Sequence, residues 1–332
     1  MAEGVVAFDA EGSVRRANPA AREIFSLGTA RDGMPLEMVS RRREFIQLVA
    51  GVRAGSAVGA VEMTQADRQL IVTGQPLPDG GGVLVVLDVS ELRRLEGVRR
   101  DFVANASHEL KTPLTAIQGY AETLTESDTP EPLRLQFAET IRANAIRLRR
   151  IVDDLLDLSR IESGGWRAHP EPVSLGQLAR EAWAGFAERA AERGIRLVVD
   201  ADPGADSAVA DPGALRQVFG NLFSNALRYT EEGGAIGVRI SAGAEDGMRR
   251  VSVRDTGAGI PTAHLPRIFE RFYRVDPARS RADGGTGLGL AIVRHLIEAH
   301  GGSVSAESEL GRGTTITFTL PSPPPSTSAS AS

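Results

Sequence analysis

The 332-residue chain has no cysteine, which excludes disulfides, cysteine-ligated zinc and thiol catalysis and fits a reducing compartment. Lysine is nearly absent too: Lys111 stands alone beside 37 arginines, a bias of composition rather than of chemistry. No apolar run approaches the roughly 20 residues needed to cross a bilayer, and no charged-then-apolar signal peptide opens the chain. The expectation is a soluble, cytoplasmic protein, or the cytoplasmic part of a membrane-anchored one. A net charge of -5 gives no reason to expect nucleic acid as a partner. Two familiar phosphate loops are also missing. There is no Gly-x-x-x-x-Gly-Lys-Ser/Thr, and Gly285-x-Gly287-x-Gly289 lacks the dinucleotide-fingerprint spacing, so P-loop and Rossmann readings fall away.

What remains is enough for two or three cored domains, since 42% of the residues are hydrophobic. The expected fold is multidomain α+β. Residues 1–90 alternate short apolar runs with turn signals: 4–8, a turn at 9–12, 14–17, then a helix-like Asn18-Pro-Ala-Ala-Arg-Glu-Ile-Phe25. Further strands are expected at 58–64, 68–75 and 83–89. This order, with Asp9-Ala-Glu-Gly-Ser-Val-Arg-Arg-Ala-Asn-Pro-Ala-Ala21 and Leu87-Asp-Val-Ser-Glu-Leu92, resembles a PAS sensor domain. The segment contains no His, Cys, Trp or Tyr, so it cannot ligate haem through histidine or bond a flavin through cysteine.

Residues 91–165 read as a signalling helix and a helical hairpin. One helix runs from 90 to about 127, and after Pro130 and Pro132 a second runs from about 133 to 161. Val103, Ala106, Leu110, Leu114, Ile117, Ala121 and Leu124 step by three and four residues and make an apolar seam on the first. Leu135, Ala138, Ile141, Ala145, Leu148, Val152, Leu155 and Ile161 do the same on the second. Two such helices make a thin core, and pairing two copies into a four-helix bundle buries both seams, so a homodimer is expected. Packing of the hairpin against a neighbouring domain is the alternative. Beside the first seam lies His108, in Phe102-Val-Ala-Asn-Ala-Ser-His108-Glu109-Leu-Lys111-Thr112-Pro113. An imidazole, a carboxylate and, at i+4, the Thr112 hydroxyl share this stretch, a combination able to accept and release a phosphoryl group. Pro113 cannot donate to the Glu109 carbonyl, so a local bend is expected there.

Residues 170–321 alternate helices and strands, an α/β layered domain, and the Pro/Ser-rich tail 322–332 is expected to be disordered. Four segments in this domain point to one ligand. In Leu215-Arg-Gln217-Val-Phe-Gly-Asn221-Leu-Phe-Ser-Asn225-Ala-Leu-Arg228-Tyr229 an apolar stripe leaves Gln217, Asn221, Asn225 and Arg228 on another face. Two asparagines at i and i+4 are poor helix formers. They are either a solvated face or oxygen donors, Asn225 offering a hard neutral ligand to Mg²⁺. Val251-Ser-Val-Arg-Asp255-Thr-Gly257-Ala-Gly259 is a strand ending in a carboxylate that accepts hydrogen bonds only, and so selects adenine's amino group over guanine's carbonyl. Taken alone it is also an ordinary tight turn. Ile268-Phe-Glu-Arg271-Phe-Tyr-Arg274 carries loop-anchoring aromatics and phosphate-binding arginines, or is a short core helix. Gly284-Gly285-Thr286-Gly287-Leu288-Gly289 before an apolar helix suits a polyphosphate, or is a flexible connection.

Together, in this order and with Gly313-Thr314-Thr315 before the last strand, the segments resemble sensor histidine kinases over residues 98–320, and more distantly topoisomerase, chaperone and mismatch-repair ATPases. The resemblance implies a C-terminal α/β-sandwich that binds Mg-ATP through Asn221, Asn225, Arg228, Tyr229, Asp255, Gly257, Gly259, Arg271, Thr286, Gly287, Leu288, Gly289 and Thr314, with Asn225 as metal ligand. It implies His108 as phosphoacceptor, Glu109 hydrogen-bonded to the imidazole, Thr112 orienting a water for the reverse reaction, and a response regulator receiver domain on a separate chain as partner. An ATP-driven conformational machine would not need His108 or the paired helices. An intact Asn225, Asp255 and glycine loop argue against a sensor-adaptor that binds nucleotide without transfer. The other histidines, His169, His264, His295 and His300, are expected to be structural or solvated.

Overall fold

The computed structural model describes residues 3–27, 33–78, 80–125, 130–163, 165–245, 247–276 and 285–323. Gly284, the first residue of the glycine-rich segment, and the tail from 324 onward, expected to be disordered, lie outside them. The chain divides into two compact units, Met1–Ala104 and Asn105–Ser332.

The first unit is an antiparallel sheet in the order β2-β1-β5-β4-β3, built from β1 (Gly4–Phe8), β2 (Val14–Ala17), β3 (Val58–Gln65), β4 (Arg68–Pro76) and β5 (Gly82–Asp88). Alternation sets its core face: Val6, Phe8, Leu84 and Val86 are buried while their neighbours are not. Against it pack α1 (Pro19–Ile24) and α2 (Arg43–Arg53). The first starts where expected because Asn18 caps it, its side chain accepting from the Ala21 amide at 2.8 Å with proline at the first turn. The second is a helix for which the sequence reading had no signal; it buries Phe45, Leu48, Val49 and Val52.

From the first unit the chain continues as α3 (Ser90–Thr125), and α4 (Glu131–Glu162) returns. Helix α3 runs on through Pro113, which is buried. The expected apolar seam is largely open in the single chain, with Val103 56%, Leu114 46% and Leu135 70% exposed.

The α/β part of the second unit is a sheet in the order β11-β12-β10-β9-β7. Its strands are β7 (Arg196–Ala201), β9 (Ala235–Ala242), β10 (Met248–Asp255), β11 (Val304–Glu309) and β12 (Gly313–Pro321), with only β7 and β9 parallel. A small ladder pairs β6 (Glu171–Ser174) with β8 (Ser207–Ala210). The helices are α5 (Leu175–Ala184), α6 (Ala187–Glu192), α7 (Pro212–Tyr229) and α8 (Gly289–Ala299); α5, α7 and α8 cover the sheet. Asp211 caps α7 by accepting from the Ala214 amide at 3.0 Å. All seven apolar-stripe residues of α7 are buried, Phe219 stacking on Phe223 and meeting Phe318 of the sheet. The hairpin does not stand apart from this layer: α4 packs on α8, with Ile151 and Leu158 fully buried.

Candidate nucleotide site and phosphoacceptor helix

Between α7, the end of β10 and the start of α8 lies a cavity of about 290 Å³. Because α7 buries its apolar stripe, Asn221, Asn225, Arg228 and Tyr229 are left on the cavity side, as their spacing requires. The Asn221 Nδ2 is buried without a hydrogen-bond partner, and the Asn225 amide makes none within the described residues. Both are free to meet a ligand.

At the opposite wall Asp255 ends β10. Its Oδ1 accepts from the Gly257 amide at 2.9 Å and the Thr314 amide at 3.2 Å, so the carboxylate is fixed and its second oxygen is left toward the cavity. Burial pushes this carboxyl above its ordinary value, against the two amide bonds that lower it. Gly259 lines the cavity beside it, while Gly257 packs where a Cβ would fall 2.4 Å from the Tyr229 carbonyl.

The glycine-rich loop closes the third side. Gly285, Thr286, Gly287 and Gly289 line the cavity. A Cβ at Gly289 would lie 3.2 Å from Asn221 Oδ1, so a larger residue at the start of α8 would press on the asparagine side chain. Leu288 does not face the ligand: it is fully buried beneath the loop, its amide donating to Thr286 Oγ1 at 3.2 Å.

Residues 98–164 match the "His Kinase A (phospho-acceptor) domain" and residues 210–324 the "Histidine kinase-, DNA gyrase B-, and HSP90-like ATPase". The phosphate regulon sensor protein PhoR of Pseudomonas aeruginosa is 34% identical over 319 residues, covering 95% of this chain and 71% of the relative. The sensor-like histidine kinase SenX3 of Mycolicibacterium smegmatis is 37% identical over 303 residues, covering 90% and 73%. The chain belongs to the sensor histidine kinases. At the level of fold, histidine kinase ThkA in complex with the response regulator protein TrrA superposes with a TM-score of 0.54 at 23% identity, covering 96% of both chains. Most of the cavity lining falls within the stretch that matches the ATPase family model.

On the kinase's α3, His108 is exposed and its ring makes no hydrogen bond within the described residues. Thr112, one turn on, is exposed and donates from Oγ1 to the His108 carbonyl at 3.1 Å. The hydrogen bond expected from Glu109 to the imidazole is not made here. Neighbouring residues on a helix point apart by about 100°, and Glu109 Oε2 instead receives Arg147 of α4 at 3.1 Å and Arg274 at 2.8 Å.

The arginines of the aromatic segment also divide differently. Arg271, expected at the phosphates, pairs with Glu162 at 2.5 Å and does not line the cavity; His295 meets the same carboxylate at 3.4 Å. Arg274 lines the cavity instead and donates to the Gly285 carbonyl. Between them the backbone turns through Phe272 at φ 61°, a left-handed conformation costly for an aromatic residue, and its amide donates to the Gly287 carbonyl at 2.8 Å. The segment is not the core helix given as the alternative but a strained turn whose Phe272 holds the glycine loop, in keeping with the loop-anchoring reading. His300 is structural, its Nε2 accepting from the Asp211 amide at 3.0 Å.

Sequence reasoning missed a second set on α4. Asp154 Oδ2 accepts from Thr286 Oγ1 at 2.9 Å and Asp157 Oδ2 accepts from Gln217 at 2.6 Å. The available signal was an ionisable residue at the i+3 position from Ile151 and i−4 from Leu158, on what would otherwise be an apolar face.

Proposed function

We propose that the kinase autophosphorylates His108 from Mg-ATP and passes the phosphoryl group to an aspartate on a response regulator. A ring nitrogen of the neutral imidazole attacks the γ-phosphorus, the bond to the β-phosphate oxygen breaks and ADP leaves. One observation carries this reading: Arg274 spans from the wall of the nucleotide cavity to Glu109, the residue next to His108. For Glu109 to steady the imidazole it must turn away from both Arg147 and Arg274.

Asp255 reads the adenine amino group, and the asparagine helix with the glycine loop takes the phosphates. Among the described residues no group of three His, Asp or Glu side chains could hold a metal unaided. The neutral amides of Asn221 and Asn225 fit Mg²⁺ whose charge is balanced by nucleotide phosphates, with Asn225 as protein ligand. Bound there, Mg²⁺ neutralises phosphate charge. The open apolar seams of α3 and α4 support a homodimer with a four-helix bundle. The capture of the similarly folded ThkA with a response regulator protein supports the regulator as partner. The antiparallel sheet and flanking helices of the first unit support a PAS-like sensor. No described helix is long and apolar enough to cross a membrane.

Incubation with Mg-ATP is expected to place acid-labile, alkali-stable phosphate on the wild type and none on His108→Gln. Label persisting on the variant would remove His108 as acceptor. Thr112 is placed to orient a water toward a phosphorylated regulator. Thr112→Ala is expected to slow regulator dephosphorylation about tenfold more than it slows autophosphorylation, measured by loss of label from the purified regulator. Equal slowing of both would make Thr112 merely structural.

A further inference from the structure

Asp154 belongs to the helical hairpin, yet it lines the nucleotide cavity. It sits at the glycine-loop end, remote in role from the adenine-reading Asp255. Together with Arg150, Asn221 and Arg228 it also lines an adjoining cavity of about 520 Å³ between α4 and α7. Its Oδ2 accepts from Thr286 Oγ1 at 2.9 Å, and that same hydroxyl oxygen accepts the Leu288 amide at 3.2 Å, the amide that opens α8. A carboxylate, a hydroxyl and a helix-opening amide thus form one chain at the place where phosphates should enter.

We propose that Asp154 is a charge gate on the nucleotide cavity, latching the glycine loop through Thr286 and opposing the entry of polyphosphate until it is displaced. This rests on the ATP reading given above. A phosphate chain arriving at Thr286 meets a carboxylate already fixed there, and like charges in a partly dry cleft repel far more than in water. Displacing it frees the Thr286 hydroxyl and the amides of the loop for the anion. The same displacement breaks a bond between α4 and the base of the loop, so nucleotide occupancy and the grip of the hairpin oppose each other. Burial pushes the Asp154 carboxyl up to about 6, with Asp157 and Asp153 adding to the rise and the Thr286 bond and Arg150 opposing it. The group is therefore held at a cost even before the ligand arrives.

Asp154→Asn keeps an acceptor for Thr286 and removes the charge. Calorimetry on the full chain with adenosine, ADP and a non-hydrolysable ATP analogue tests the proposal. The variant is expected to bind the ATP analogue about tenfold tighter and ADP about threefold tighter, with adenosine unchanged. Unchanged adenosine affinity also shows that the variant is folded. An ATP-analogue affinity equal to or weaker than wild type overturns the gate, as does an equal gain for adenosine, which would mean simple opening of the cleft. A wild type that binds nucleotide but gains no acid-labile label refutes the kinase reading and leaves the affinity series to decide the gate. A wild type that binds no nucleotide refutes both.

Discussion

Asp255→Asn lowers ATP affinity by on the order of 100-fold, about 3 kcal/mol. The magnitude follows from how the carboxylate is held. Its Oδ1 already serves the amides of Gly257 and Thr314, so an asparagine must keep its carbonyl oxygen there to avoid burying two unpaired donors. Its NH₂ then faces the adenine amino group, donor against donor. A carbonyl at the same position of guanine accepts from that NH₂, so the preference for ATP over GTP analogues narrows in the variant. Calorimetric titration with both analogues checks this, and wild-type ATP affinity in Asp255→Asn would mean that another group reads the base.

Gly313→Ala destabilises the second unit by about 3 kcal/mol or more, a fall in Tm of roughly 6–12 °C. Gly313 begins β12 at φ 100°, and a Cβ there would lie 2.0 Å from the Asp255 carbonyl oxygen. Neither a left-handed alanine nor that overlap can be relieved without moving the strand that carries Asp255. Gly311, two residues earlier at φ 79°, has nothing within 4 Å of its Cβ position, so Gly311→Ala bears only the conformational cost of about 1 kcal/mol. Thermal unfolding of the two variants separates overlap from backbone strain; equal shifts would show that the close approach to Asp255 does not matter. Weakened ATP binding accompanies the larger loss, because the Thr314 amide that holds Asp255 follows directly.

Where a feature depends on residues close in sequence, it is legible without coordinates. The stripe of α7 from Leu215 to Leu227 is buried residue for residue, because a 3.6-residue period is a property of the chain itself. The asparagines then have no choice but the other face. The strands of the first unit likewise begin and end within a residue or two of their turn signals. Helix α2 escaped because Arg43–Arg53 opens without a capping side chain, leaving no start signal.

Pairings between distant segments carry no such mark. Glu109 meets Arg274 across 165 positions and Thr286 meets Asp154 across 132. Composition offers dozens of arginines for one glutamate, and only the path of the backbone selects Arg274 for the cavity and sends Arg271 to Glu162. By itself, then, the sequence determined most of the elements, the exposed His108 and the face of α7 that lines the cavity, since local periodicity, capping and residue chemistry act over a few positions. Tertiary structure alone decided which partner each charged group receives, because a buried ion or hydroxyl takes whatever complementary group the packing of α4 against the loop and α8 brings within about 3 Å.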